Sequence, residues 1–341
     1  MNPRTPKTDT LLTDSGAGPR VSVCVITYNH AKFIRQCLQS LVDQHTSFAF
    51  EIVVSDDGST DGTSDIVRGF AERYPDVVRV FIQPQNIGGN PNYLFVHEQA
   101  RGQYVAHVDG DDYAFPGKLQ KLHDCIDRDP TVNIVWHRMK ILDETGRWAT
   151  SMPLEPDTAR SVYGSNRISL ACLLLFYSVG GFHSGSMYRR SARKLPEADC
   201  PTLDYSISLA LCESGDGYHI DEPLGVYRWF ASERTITKTP ENRIVNDALL
   251  GILRHYGKVH PKHRRSVAAH VAMKGLIALY LRNPFWKQYA RLFVDLRTAP
   301  RPADLAFIWR VFDRGRSKRL RKKLAEPGAV AETEREGATR E

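Results

Sequence analysis

The sequence predicts an α/β protein: an open, mostly parallel sheet with helices on both faces, followed by a helical C-terminal region. Three observations predict it. Short runs rich in β-branched residues alternate with segments of helical apolar spacing, the pattern of parallel βαβ units. Acidic clusters stand at the ends of two of those runs, where open sheets of this kind take their ligands. From Ile244 onward the apolar residues recur at helical spacing.

The elements follow in order. Val21 to Ile26 reads as a buried strand, and Phe33, Ile34, Cys37, Leu38, Leu41 and Val42 mark a helix after it. Glu51 to Ser55 is a second strand. Ser59 to Asp61 supplies helix-capping side chains, and Ile66, Val67, Phe70, Ala71 and Tyr74 line one face of the next helix. Val78 to Ile82 is a third strand. A Gly/Asn/Pro loop from Gln85 to Asn92 leads into a short helix. Tyr104 to Val108 and Asn133 to His137 are the fourth and fifth strands. The stretch from Asp143 to Asp221 is less regular. Helices are expected around Ile244 to Tyr256, Val267 to Leu281 and Phe285 to Leu296.

Composition narrows the function classes. The formal net charge of +7 suits an anionic small molecule. No aromatic-interleaved basic patch or zinc-finger spacing points to nucleic acid. The six cysteines form no CxxC pair and several sit in apolar segments, so free thiols in a reducing cytoplasm are expected. The first twenty residues lack the apolar core of a secretory signal, and no apolar run reaches the roughly 20 residues of a membrane helix. No G-x-G-x-x-G follows the first strand, which argues against a nicotinamide dehydrogenase. Thr27-Tyr-Asn-His30 is likewise not the Gly-rich phosphate loop of a nucleotidyltransferase.

Three clusters carry chemistry. Val108-Asp-Gly-Asp-Asp112 ends an apolar strand, and carboxylates crowded there repel one another unless a divalent cation relieves them. A solvated acidic turn bent at Gly110 is the plain alternative. In Val54-Ser-Asp-Asp-Gly-Ser-Thr-Asp61 an Asp at the strand end can accept the imide N–H of uracil or thymine; a capped βα turn is the alternative. Thr27-Tyr28-Asn29 offers an aromatic ring for stacking on a base and polar neighbours to hydrogen-bond it, or else a simple loop.

Their order and spacing are more telling than any one of them. Val21-Ser-Val-Cys-Val-Ile-Thr-Tyr-Asn29, Cys37-Leu-Gln-Ser-Leu41, Glu51 to Asp61, Gln85-Asn-Ile-Gly-Gly89 and Gly102 to Asp112, with Pro116 and Lys118-Leu119, resemble glycosyltransferase family 2. The resemblance covers roughly residues 20 to 140. It implies a GT-A fold and an inverting transfer from a nucleotide-diphosphate sugar, UDP- or dTDP-linked. The acceptor would be a saccharide or lipid-linked saccharide, in bacterial surface polysaccharide or glycoconjugate assembly.

The resemblance also implies roles. Thr27, Tyr28 and Asn29 line the base pocket; Asp57 reads the base and Asp56 assists. Asp109 approaches the ribose, Asp111 ligates Mn²⁺ or Mg²⁺, and Asp112 supports them. Asp204, in Thr202-Leu-Asp-Tyr-Ser206, takes the position of the general base, with helix capping as its bland alternative. Leu203 replaces the family's usual Glu, and Phe230 stands where many members carry His, so Arg228 or Arg234 is expected to compensate. These departures favour the rival reading, a non-catalytic nucleotide-sugar binder. Gly181 to Arg189 resembles an acceptor-side loop, with His183 and Ser184 as contacts to acceptor or diphosphate.

The expected organisation is therefore a disordered segment 1–19, a GT-A domain 20–235, a helical region 240–324 and a disordered tail 325–341. The GT-A domain divides into a nucleotide-sugar half, 20–140, and an acceptor half, 141–235. The basic run Arg314 to Lys323 reads either as a peripheral membrane contact on the inner face of the cell membrane or as a solvated helix face. The helices from Ile244 to Leu296 read as an acceptor platform or as a contact between copies of the chain.

Overall fold

The structure is a computed structural model that describes residues 18–143, 148–149, 165–175, 182–195, 200, 203–229, 242–280 and 282–306. Phe230, Arg234, the basic run 314–323, residues 1–17 of the expected disordered segment 1–19 and the expected disordered tail 325–341 lie outside the described residues. Contacts divide the chain into two compact units, Met1–Leu249 and Leu250–Glu341.

The first unit is built on one sheet in the order β3-β2-β1-β4-β9-β6-β10-β5. Its parallel half is β1 (Val21–Thr27), β2 (Phe50–Asp56), β3 (Val78–Ile82) and β4 (Tyr104–Asp109). The short β9 (Ser186–Arg189) runs antiparallel between β4 and β6 (Val132–Asp143). The long β10 (Asp216–Trp229) then pairs parallel with β6. Three two-residue strands, β5 (Tyr113–Ala114), β7 (Trp148–Ala149) and β8 (Arg167–Ile168), add antiparallel pairings.

The apolar runs of β1, β2 and β4 are buried nearly end to end, as strands covered on both faces must be. Val23, Val25, Ile52, Val54, Ala106 and Val108 share a core with Ile34, Cys37, Leu38 and Leu41 of α1 (Ile34–Val42). Val67 and Phe70 of α2 (Thr63–Arg73) and Leu119, Leu122 and Ile126 of α4 (Lys118–Arg128) join it.

Two local expectations need correction. The N-cap of α2 is Gly62, with no side-chain cap bond; Asp61 instead accepts the Thr63 N–H at 3.0 Å. And α3 (Gly89–Glu98) starts inside the expected loop, with Pro91 in its first turn, where a missing N–H costs nothing. The described residues of the unit also hold α5 (Leu170–Leu175) and α6 (Leu203–Cys212). All six cysteines are free thiols. The later helices are α7 (Asn242–Val259), α8 (Arg264–Tyr280) and α9 (Trp286–Asp295). No helix among the described residues is long and apolar enough to cross a membrane.

Candidate functional site

The tips of β1, β2 and β4 lie side by side, with Thr27 opposite Asp56 and Ile26 opposite Asp109. The residues after β2 tie down the chain leaving β1. Asn29 N–H donates to Ser59 Oγ, His30 N–H to Thr63 Oγ1 and Ala31 N–H to Asp61 Oδ2, each at 2.9 Å. Asn29 sits at φ 53°, and its Oδ1 accepts the Thr60 N–H at 2.9 Å. The Asn29 side chain is therefore turned into this clasp rather than toward a base. Asp56 behaves similarly: it is buried and accepts the hydroxyls of Ser59 and Ser64.

Asp57 is the carboxylate of the pair that faces a cavity. Its oxygens accept the backbone N–H groups of Ile87 at 2.7 Å and Gly88 at 3.0 Å, which anchors the loop before α3. Gly58 lets that loop approach, since a Cβ there would lie 2.7 Å from the Gln85 carbonyl carbon.

At the tip of β4, the Gly110 N–H donates to the Ile26 carbonyl at 2.8 Å. A Cβ on Gly110 would stand 2.8 Å from Thr27 Cβ and Oγ1, so only glycine lets this acidic turn lie flat on β1. Asp109 meets His107 Nε2 at 3.1 Å and accepts the Ser184 hydroxyl at 2.8 Å. Desolvation pulls its pKa up, but the charge and hydrogen bond of His107, with His183 and Ser184, hold it below the ordinary carboxylate range. Lys118 Nζ donates to the Ser184 carbonyl at 2.6 Å, and burial lowers its pKa to about 8 against the pull of Asp112.

Asp112 lies beneath the turn, fully buried. One oxygen accepts the Arg228 N–H at 2.9 Å; the other, Oδ2, is buried with no hydrogen-bond partner. Burial, then the neighbouring Asp111 and Asp109, push its pKa well above the carboxylate range. Arg228 does not face the cavity. Its guanidinium donates to the Asp111 carbonyl and to Gln36, between the rings of Phe33 and Tyr113.

Asp204 lies in the first turn of α6, with its side chain 69% exposed, and pairs with His183 Nδ1 at 2.9 Å. Burial opposes the shift of His183. The pair nonetheless holds the Asp204 carboxyl below its ordinary value and the His183 imidazole above its own. His183 is itself packed among rings. Tyr93 stacks between His183 at 4.6 Å and His97 at 3.8 Å, and His107 is 4.7 Å from His183. His97 in turn bonds His107 at 3.0 Å and the Tyr188 hydroxyl at 2.7 Å. A cluster of packed rings thus joins Asp204 to Asp109.

One cavity of ≈ 330 Å³ gathers much of this. Thr27, Tyr28, Asp57, Asp109 and Asp111 all border it, so the two acidic tips open onto a single hollow. Asn29, Asp56, Asp112, His183, Ser184, Asp204 and Arg228 are not among its lining residues. It is also bordered by His30, Asn86, Asn92 and Tyr227, which sequence reasoning did not single out. The Tyr227 hydroxyl has its pKa raised by burial and then by Asp112, Asp109, Asp111 and Asp204, so these carboxylates act on one region. The signal for Tyr227 was its place beside Arg228, and for Asn86 its place in the Gln85–Gly89 match to the family; Asn92 lay in the loop read as a connection.

Among the described residues, no three His, Cys, Asp or Glu side chains converge as a ready-made metal cage. What is present is a pair of cavity-facing carboxylates, Asp109 and Asp111, next in the chain to the buried Asp112. That donor set fits a hard cation that takes one or two carboxylates and completes its shell with phosphate oxygens and water.

A mostly parallel open sheet with carboxylates converging at its strand tips defines the GT-A class of fold. The chain belongs to the family described as Glycosyl transferase family 2, which it matches over residues 22–194. An uncharacterized protein of Mycobacterium tuberculosis is 36% identical over 134 residues, 39% of this chain and 39% of the relative. The putative glycosyltransferase EpsE of Bacillus subtilis is 31% identical over 144 residues, 41% of this chain and 51% of the relative. The matched parts thus span about 39% to 51% of these relatives' lengths. Among solved structures, S. aureus TarS 1-349 in complex with UDP-GlcNAc is similar in fold, with a TM-score of 0.52 and 18% identity. That match covers 87% of this chain and 92% of TarS 1-349.

Proposed function

We propose that the chain is an inverting glycosyltransferase that binds a UDP- or dTDP-sugar in the cavity between the β2 and β4 tips. The observation that carries this reading is that Asp57, Asp109 and Asp111 border one hollow with Tyr28 at its edge. Tyr28 is 43% exposed, which leaves its ring available to stack on a base. Asp57 spends two lone pairs on Ile87 and Gly88. A carboxylate offers about four, so it can still accept a pyrimidine imide N–H. Thr27 Oγ1, buried and without a hydrogen-bond partner, is a further contact for the nucleoside.

Asp111, with Asp109 beside it, would hold Mn²⁺ or Mg²⁺; such an ion supplies stabilisation for charge developing on a departing diphosphate. Asp204 is the proposed base. The acceptor oxygen forms its bond to the anomeric carbon as the bond to the diphosphate oxygen breaks. The diphosphate leaves with the electron pair, and the acceptor proton passes to the Asp204 carboxylate. Attack opposite the leaving group inverts the anomeric centre, the same stereochemical logic as in inverting sugar hydrolysis. His183 positions Asp204 and keeps it ionised. The acceptor is a saccharide or lipid-linked saccharide of a surface polysaccharide or glycoconjugate.

A thermal-shift screen of nucleotide sugars with and without Mn²⁺ tests donor binding, because a ligand of the native state raises its melting point. Donor hydrolysis or transfer then tests catalysis. Mn²⁺-dependent stabilisation by UDP- or dTDP-sugars with turnover supports the proposal. Stabilisation with no turnover across many donors supports the non-catalytic binder instead, and the exposed position of Asp204 is the observation that favours that second reading.

A further inference from the structure

The second compact unit carries an unusual distribution of charge. From Leu250 to Val294 the sequence contains nine Lys or Arg residues and no Asp or Glu. The same stretch presents large apolar side chains to solvent. On α8, Leu276 is 64% and Leu279 51% exposed; on α9, Trp286 is 36% and Val294 71% exposed.

These positions fall on defined helix faces. Arg265, Ala272, Leu276 and Leu279 follow one another at intervals of seven, four and three, which places them on one face of α8. Val267, Val271 and Ala278 occupy the opposite face and are buried. On α9, Tyr289 and Leu292 are buried, while Trp286, Lys287, Arg291 and Val294 share the exposed side.

The turn between α8 and α9 carries an exposed cation between these two helices. The Asn283 N–H donates to the Ala278 carbonyl at 2.8 Å and the Arg282 N–H to Leu279 at 3.0 Å, a paired helix-ending motif. The left-handed residue of that motif is usually glycine, yet here it is Arg282 at φ 54°. Lys287 Nζ lies 5.9 Å above the Trp286 ring. Exposed Leu and Trp with basic side chains at their border are what an anionic lipid surface binds: the apolar groups enter the headgroup boundary and the cations meet the phosphates.

We propose that the α8–α9 corner docks on an anionic lipid surface through Leu276, Leu279 and Trp286, with Arg282 and Lys287 as its cationic border. Two other occupants fit less well. A second copy on the same face would set two basic surfaces against each other. A nucleic acid would use the cations but leave Leu276 and Leu279 unexplained. The inference stands apart from the proposed sugar transfer, since it uses residues of the second unit alone.

Flotation of the full chain tests it, with phosphatidylcholine vesicles and with vesicles containing about 30 mol% phosphatidylglycerol, at low salt and at about 0.5 M salt. The chain should float with the anionic vesicles and not the neutral ones, and salt should weaken the binding. Arg282→Glu with Lys287→Glu should weaken it about tenfold or more. Leu276→Gln, Leu279→Gln and Trp286→Gln together should abolish it at an unchanged melting temperature, because all three side chains are exposed. Equal flotation with neutral vesicles, or no flotation with either, overturns the proposal. So does wild-type binding by both variants, or an oligomer in gel filtration that the triple variant dissolves.

Discussion

The proposed donor side and the proposed acceptor side of the site hold their carboxylates in different ways. Asp57 and Asp109 are each gripped at both oxygens, Asp57 by two backbone N–H groups and Asp109 by His107 and Ser184. Asp204 projects from the first turn of α6 with most of its side chain in solvent, aligned by His183. On the first side, strand register and backbone donors fix the groups before any ligand arrives. On the second, alignment depends on a side chain that is itself positioned by ring stacking. A preorganised surface suits a ligand of constant shape such as a diphosphate. A solvent-facing carboxylate suits an acceptor that must approach from outside.

Substitutions should separate the two sides, beginning with the largest effect. Asp111→Ala is expected to remove Mn²⁺-dependent stabilisation by donor and lower kcat/KM by about 10³-fold or more, read by thermal shift and turnover together. Asp204→Asn should leave the donor thermal shift intact while kcat falls by about 10²- to 10⁴-fold. Normal turnover in that variant would remove Asp204 from the role of base.

His183→Asn is expected to act more mildly, lowering kcat by about tenfold with little change in donor KM. It also carries a pH signature. The charge and hydrogen bond of His183 pull the Asp204 carboxyl down, so its loss should let that pKa rise and move the acidic limb of the kcat profile to higher pH. An unmoved limb would mean that His183 supports structure and not the carboxylate. Gly110→Ala should show in stability: the new Cβ meets Thr27 at 2.8 Å, and relief of that contact should cost about 1–3 kcal/mol by denaturant titration.

The same contrast explains what the sequence disclosed. The cavity-lining carboxylates were legible because they sit in local motifs at strand ends. Val108 to Asp112 and Val54 to Asp61 could be read as tips of one sheet from spacing alone, and both tips do border one cavity. Asn29 and Asp56 shared those motifs, but their side chains bind the βα turn, a choice set by Ser59, Thr60 and Ser64. The surroundings of Asp204 were less legible because their contacts join distant segments. The stack of Tyr93, His97, His107 and His183 needs α3, β4 and the residues before β9 to meet. Strand β9 spans four residues and runs against its neighbours, so no periodicity announces it.

A shared cavity for nucleotide and metal-bound diphosphate is the centre of the proposal. Isothermal titration of UDP and dTDP, with and without Mn²⁺, into the wild type, Asp57→Ala and Asp111→Ala tests this directly. The account predicts one Mn²⁺-dependent binding event for at least one nucleotide, weakened by both substitutions although they lie on different strand tips. Binding that neither substitution alters, or two independent events each lost to one of them, would contradict it.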